Sequence, residues 1–156
     1  MSLFKPLLLS HSIEIKSSPE KIWDFFKNIE QNYTTWHSDD HVKFHWTKGK
    51  SLDEGSTIYS EQYVMGKITK YKGMVAEIIP NRKITFKFFY PVSLISPKIE
   101  WLIEPKGSNT VFTAITYMRA GHLYKKLFKK GMKNIIEAHY KHVAEEGENL
   151  KKILEE

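Results

Sequence analysis

Seven histidines and no cysteine set the terms for any chemistry in this chain. A metal would need imidazole and carboxylate ligands, and a disulfide framework, a thiolate zinc site and a cysteine nucleophile are all excluded. Two places concentrate suitable residues. The stretch YTTWHSDDHVKFHW, Tyr33 to Trp46, packs His37, His41 and His45 together with Asp39 and Asp40. Further on, His142 and Glu146 stand four apart, a spacing that on a helix puts both side chains on one face, one turn apart, where they can converge on a single ion. Two ligands do not complete a site, and taken alone the pair also reads as a His–Glu hydrogen bond at a half-exposed helix end. Glu61 is a third candidate, because on a strand it shares a side with Tyr59, Tyr63 and Met65, a mixed aromatic and polar row that suits a cavity lining. It reads equally as a surface glutamate. His45 fits a solvent-facing strand position, and Asp39-Asp40 makes a natural turn.

The elements that must position these residues are legible from periodicity and punctuation. Leu8 to Lys16 reads as a strand. Ser17-Ser18-Pro19-Glu20 then marks a helix start, with a serine cap, a proline in the first turn and early acidic charge. Ile22, Trp23, Phe25 and Phe26 supply that helix's apolar side, and a second helical segment runs from Glu30 to Trp36. Six strands are expected next, at Val42–Trp46, Thr57–Met65, Ile68–Ile79, Lys83–Tyr90, Ile99–Glu104 and Val111–Met118, joined by short connectors that favour antiparallel neighbours. One long helix closes the chain, from about Tyr124 to Leu154. At 3.6 residues per turn Phe128, Met132, Ile135, Val143, Leu150 and Ile153 form its apolar stripe, with His139, His142 and Glu146 on the stripe or at its edge. An unpaired buried carboxylate there would cost several kcal/mol. Residues 1–156 are expected to form a single α+β domain, a seven-stranded curved antiparallel sheet around the long helix.

The order strand, two helices, six strands, long helix resembles the START/Bet v 1-like superfamily, also called SRPBCC or polyketide cyclase-type. HSIEIKSSPEKIWDFFKN (His11–Asn28) and MVAEIIPNRKITFKF (Met74–Phe88) carry that resemblance. It implies a helix-grip fold with a cavity between sheet and helix, in a superfamily that includes lipid carriers, hormone receptors, cyclases and hydrolases. A narrower resemblance joins three segments. YTTWHSDDH (33–41), HVAEEGENL (142–150) and EQYVMGK (61–67) are similar to segments of the diacetylphloroglucinol and phloretin hydrolase family, with Ser38 standing where that family has proline. The resemblance implies a zinc site of two histidines and two glutamates, with His41, Glu61, His142 and Glu146 as the expected ligands; His37 is either the alternative to His41 or a residue beside the site that supports a ligand or acts as an acid/base. It also implies hydrolysis of a carbon–carbon bond between an acyl group and a phenolic ring. Tyr63, Trp101, Tyr117 and His139 are expected to line the substrate pocket, although the aromatic residues also read as ordinary core. Zinc is the metal expected, and another divalent ion would fit the same donors.

The main alternative is a non-enzymatic carrier of a lipid or a small aromatic ligand. The net charge of +6 points at nucleic acid or an anionic surface. No recognition motif accompanies it, so nucleic acid is not expected. Lys125, Lys126, Lys129, Lys130 and Lys133, interleaved with Leu123, Tyr124, Leu127 and Phe128, read either as a helix's solvated face or as a peripheral membrane contact. No apolar run approaches the roughly 18 residues of a membrane span, nothing resembles a secretion signal, and a cytoplasmic location is expected. The absence of G-x-S-x-G disfavours a serine hydrolase.

Overall fold

The computed structural model describes residues 6–119, 126 and 129–156. Strand β1 (Leu7–Ile15) leads into α1 (Pro19–Lys27) and α2 (Ile29–Trp36). Six strands follow, β2 (His41–Lys48), β3 (Thr57–Val64), β4 (Lys67–Ile79), β5 (Lys83–Phe88), β6 (Lys98–Lys106) and β7 (Asn109–Met118), and then the long helix α3 (Lys129–Glu155). The expected helix start at α1 is present in detail: Ser18 Oγ accepts from the Lys21 amide at 3.2 Å, Pro19 opens the helix and Glu20 sits in its first turn. The expected start of α3 at Tyr124 lies outside the described residues, as does Phe128 of its stripe.

The seven strands form one sheet in the order β1-β7-β6-β5-β4-β3-β2, antiparallel throughout. Its inner face carries the alternate apolar residues, such as Val75, Phe86, Trp101, Ile103 and Phe112, and packs on α1 and α2. Phe26 of α1 is the centre of that contact. Its ring stacks on Trp101 at 4.6 Å and on Phe112 at 5.3 Å, and meets Trp36 edge-on at 5.3 Å. Each such fully buried ring contributes on the order of 2–3 kcal/mol.

Helix α3 crosses this layer against β1. Gly147 permits the approach, since a Cβ there would stand 3.3 Å from both His11 Cε1 and Ile13 Cγ2. The end of α3 is held where β1 ends: the Lys16 amide donates to Glu155 Oε1 at 2.7 Å and Lys151 Nζ donates to the Glu14 carbonyl at 3.0 Å. Ile136 packs with Leu9 and Met118 at the opposite end of β1. The first half of α3 therefore lies at the end of the sheet where β2 begins, β3 turns into β4, and β7 finishes.

Along α3, Lys133–Glu137, Lys141–Glu145 and Lys151–Glu155 pair at i,i+4 spacing. Of the expected stripe, Val143 and Leu150 are buried and Ile153 packs against the core. Ile135 departs from it, being 42 % exposed. The reason is angular: Ile136 stands seven residues, nearly two whole turns, before Val143, so it faces inward and its neighbour does not.

Candidate functional site

The turn from α2 into β2 and the middle of α3 bring three histidines and two glutamates together. Residues 37–41 form a tight turn, in which the His41 amide donates to the His37 carbonyl at 2.8 Å. The Trp36 indole donates to the Glu146 carbonyl at 2.9 Å, tying this corner to α3. His41 is fully enclosed, stacked on Tyr33 with ring centres 3.9 Å apart.

Hydrogen bonding dictates the ring orientations. His41 Nδ1 lies 2.8 Å from the Tyr33 carbonyl, which can only accept, so Nδ1 carries the proton and Nε2 faces Glu146 Oε1 at 2.9 Å. His142 Nδ1 lies 2.9 Å from Asp40 Oδ2 and is oriented in the same sense. Its Nε2 is 2.7 Å from Glu146 Oε1, yet makes no hydrogen bond of proper alignment with any of the described residues. Two imidazole Nε2 atoms and one carboxylate oxygen thus converge, with all three atoms within 4.8 Å of one another.

His37 plays a different part. Its Nδ1 accepts from the Asp40 amide at 3.2 Å, so Nε2 carries the proton and donates to Glu145 Oε2 at 2.7 Å. Both nitrogens are engaged, and the ring stacks on His142 at 4.8 Å. With Ser38, Asp39, Glu145 and Asn149 it lines a polar cleft of about 210 Å³ that opens the cluster to the surface.

The electrostatics of the cluster are strong. Burial alone would raise the Glu146 carboxyl, but its contacts with His142 and His41, and their charge, outweigh that and bring it down to about 2. For His142 burial acts downward, and Glu146 and Asp40 together overcome it and hold the imidazolium up to about 9. Deeper in, the Tyr33 hydroxyl donates to Gln62 Oε1 at 3.1 Å, and Gln62 Nε2 is 3.5 Å from the Tyr71 hydroxyl. Burial, reinforced by the Glu146 charge, raises the Tyr33 phenol, and burial pushes Tyr71 up to about 12. His139 lies two turns before Glu146 on the same face. Burial pushes its pKa down, and its Nε2 is buried without a partner among the described residues.

Four residues expected at the site lie elsewhere. Glu61 is on the outer face of β3: its neighbours Ser60 and Gln62 point inward, while Glu61 accepts from Tyr59 Oη at 2.8 Å and lies 4.0 Å from Lys43 Nζ. Tyr63 shares that outer face and is 41 % exposed. Tyr117 is also on the outside, hydrogen-bonded to Glu100 with Lys98 Nζ over its ring. Trp101 is core, enclosed by Phe26, Trp36 and Phe86. Strand parity decides the cases of Glu61, Tyr63 and Tyr117, because side chains alternate between the two faces, whereas Trp101 faces inward and is taken up by core packing. His45 is exposed, as its solvent-facing reading expects.

Asp40 stands in the candidate cluster of the sequence but reads there as a turn residue, and Glu145, Gln62 and Tyr71 are not singled out from sequence as site residues. For Asp40 the signal was its place between two histidines, and for Glu145 its adjacency to Glu146. Gln62 and Tyr71 gave none, since polar residues occur on both faces of β3 and β4.

No family model and no curated relative matches the chain. Solved structures do. A ginseng major latex-like protein from Panax ginseng superposes with a TM-score of 0.73 at 14 % identity, over 96 % of this chain and 98 % of that one. A truncated norcoclaurine synthase from Thalictrum flavum gives 0.66 at 12 %, over 98 % and 97 %. The di-domain aromatase/cyclase StfQ of the steffimycin biosynthetic pathway gives 0.71 at 9 %, over 97 % of this chain and 51 % of that one. At such identities the likeness establishes the fold, which is the Bet v 1-like helix grip. Among the described residues no helix is long and apolar enough to cross a membrane.

Proposed function

We propose that this chain is a metal-dependent hydrolase that binds a small aromatic ketone within the grip, with His41, His142 and Glu146 as the ligands of a divalent ion. One observation carries the reading. Both imidazoles have their Nδ1 protons committed, to the Tyr33 carbonyl and to the Asp40 carboxylate, so both Nε2 atoms are presented toward one carboxylate oxygen. Anchoring of the distal nitrogen by a carbonyl or a carboxylate is the usual outer support of a metal-ligating histidine. The buried His142 Nε2, 2.7 Å from Glu146 Oε1 without an aligned hydrogen bond among the described residues, is placed so that a small separation of the two side chains would let both face one ion.

Two histidines and a glutamate leave coordination positions open, as catalytic zinc sites do, and Fe²⁺ uses a similar donor set. Bound there, the ion would supply Lewis acidity, polarising a substrate carbonyl and acidifying a water molecule. The chain's own residues do the rest. Asp40 and the Tyr33 carbonyl hold the ligand rings, and the His37–Glu145 pair occupies the solvent side. The Tyr71 phenol, kept protonated by burial, accepts from Gln62 and so keeps its own proton to donate to a substrate oxygen, while Tyr33 holds Gln62 in place. His139, neutral and unpartnered, offers one more polar contact. The acyl-phenol substrate class rests on the similarity of residues 33–41 and 142–150 to acyl-phenol hydrolases. Glu61 is not part of the proposed ligand set.

The test is metal content by mass spectrometry on tag-free protein after incubation with Zn²⁺, followed by hydrolysis of acylated phloroglucinols. Near-stoichiometric metal is expected in the wild type and in Glu61→Ala, and loss of it in the His142→Ala, Glu146→Ala double variant. Full retention of metal by the double variant would sink the ligand assignment. A metal-free wild type would turn the reading to a carrier of a small aromatic ligand. Metal without hydrolysis would leave the site standing and remove the substrate class.

A further inference from the structure

The end of the sheet nearest the histidine cluster has an unusual surface. There β3 turns into β4 and β5 connects to β6, and both connections expose large apolar side chains. At the first, Tyr63 and Ile68 form a cross-strand pair on the outer face, 41 % and 50 % exposed, beside Met65 at 58 %. At the second, Tyr90 is 75 %, Leu94 58 % and Ile95 56 % exposed. The two are joined. Ile68, Lys70 and Lys72 of β4 with Phe89, Tyr90 and Val92 of the connection line one groove of about 500 Å³, and the Phe89 amide donates to the Lys72 carbonyl at 2.8 Å. Isolated exposed apolar residues are ordinary, but a contiguous group of this kind marks an interaction surface.

Charge identifies the partner. The stretches 63–72, 87–98 and 117–136 contain no aspartate or glutamate, so all 18 acidic residues of the chain lie elsewhere. Lysines flank the apolar side chains instead: Lys67, Lys70 and Lys72 on β4, and Lys129 and Lys130 at the start of α3, all exposed. The start of α3 lies at this same end of the sheet, since Ile136 packs on Leu9 and Met118. Apolar side chains projecting from loop tips within a ring of lysines match an interface of acyl chains beneath anionic headgroups. An acidic protein surface would match the lysines but would offer no apolar phase to projecting tips such as Tyr90 and Leu94.

We infer that this end of the molecule docks on an anionic bilayer, with the 63–68 and 89–95 tips inserted at headgroup depth and the lysines around them on the headgroups. The inference is independent of the proposed metal site.

Flotation of the purified chain with phosphatidylcholine vesicles, with and without phosphatidylserine, tests it. Binding is expected only with phosphatidylserine, and should fall steeply as salt rises from about 0.05 to about 0.5 M. Lys67→Glu with Lys70→Glu should lower partitioning at least about tenfold. Leu94→Ser with Ile95→Ser should lower it severalfold while leaving the salt dependence in place, and circular dichroism melts would verify that both variants fold. Equal binding to both vesicle types, or an unchanged partition of the Leu94, Ile95 variant, overturns the inference. So does failure of the wild type to bind either vesicle, which would make an acidic protein the partner. The wild-type salt titration decides the electrostatic part even if a variant misfolds.

Discussion

Among the described residues two glutamates are buried, Glu100 and Glu146, and their surroundings could hardly differ more. Glu100, on the outer face of β6, receives the Tyr117 hydroxyl, the Thr85 hydroxyl at 3.3 Å and Lys83 Nζ at 3.1 Å, with Lys98 Nζ 3.9 Å away. Burial acts to raise its carboxyl, and these donors together bring it below the ordinary range. Every partner of Glu100 is a hydrogen-bond donor or a cation, and neither an ammonium nor a neutral hydroxyl of this kind makes a ready ligand. Glu146, inside the grip, is met instead by two imidazoles whose distal protons are already committed. The first cluster is complete with protons alone. The second is assembled from groups that can exchange a proton for an ion. Burial of a carboxylate therefore does not mark a functional site; the chemistry of its partners does.

That contrast can be broken at three points. The largest effect should come from Asp40→Asn, which keeps the shape but weakens the support of His142. Metal affinity is expected to fall about 10- to 100-fold, read by competition with a chelating dye. An unchanged affinity would mean that Asp40 only closes the turn. Next, Glu100→Gln should leave metal content unaltered and destabilise the fold by about 1–3 kcal/mol, by weakening a buried charged hydrogen-bond set, as seen in chemical denaturation. Metal loss in that variant would erase the distinction between the clusters.

The smallest effect is a pH profile of the metal-free protein's melting temperature. The His142 pKa is raised from 6.5 to about 9, so its contribution is complete below pH 6.5 and is lost as pH rises through about 9. Both glutamates have lowered values, so their contributions are present above pH 4.5 and are lost on acidification, for Glu146 toward pH 2. The alkaline decline should shrink markedly in Glu146→Gln, where Asp40 alone still favours the imidazolium, and persist in full in Glu100→Gln. If it persists in full in both, the His142–Glu146 coupling is not its source.

What could be read from residues alone follows the range of the interactions involved. Ser18-Pro19-Glu20 announced α1 because capping and dihedral preference are local. The strands were legible from turn residues and β-branched runs, with ends misplaced by a residue or two where pairing partners extend them, as at β6 and β7. His142 and Glu146 stood out because four residues on a helix bring side chains together whatever the rest of the chain does.

Glu61 failed for the opposite reason. Polar residues flank it on both sides, so alternation gave no sign of which parity faces inward, and the pairing of His41 with Gln62 and Phe44 with Ser60 across β2 and β3 decides it. By itself the sequence determined the order of elements, the helix-grip architecture and the His142–Glu146 pair of the candidate ligand set. Only the tertiary structure places the Tyr33 carbonyl behind the His41 ring and Glu145 across from His37. It alone sent Glu61, Tyr63 and Tyr117 to the outer face. Those choices depend on contacts between residues tens to a hundred positions apart, where a shift of one residue in strand register reverses every side chain.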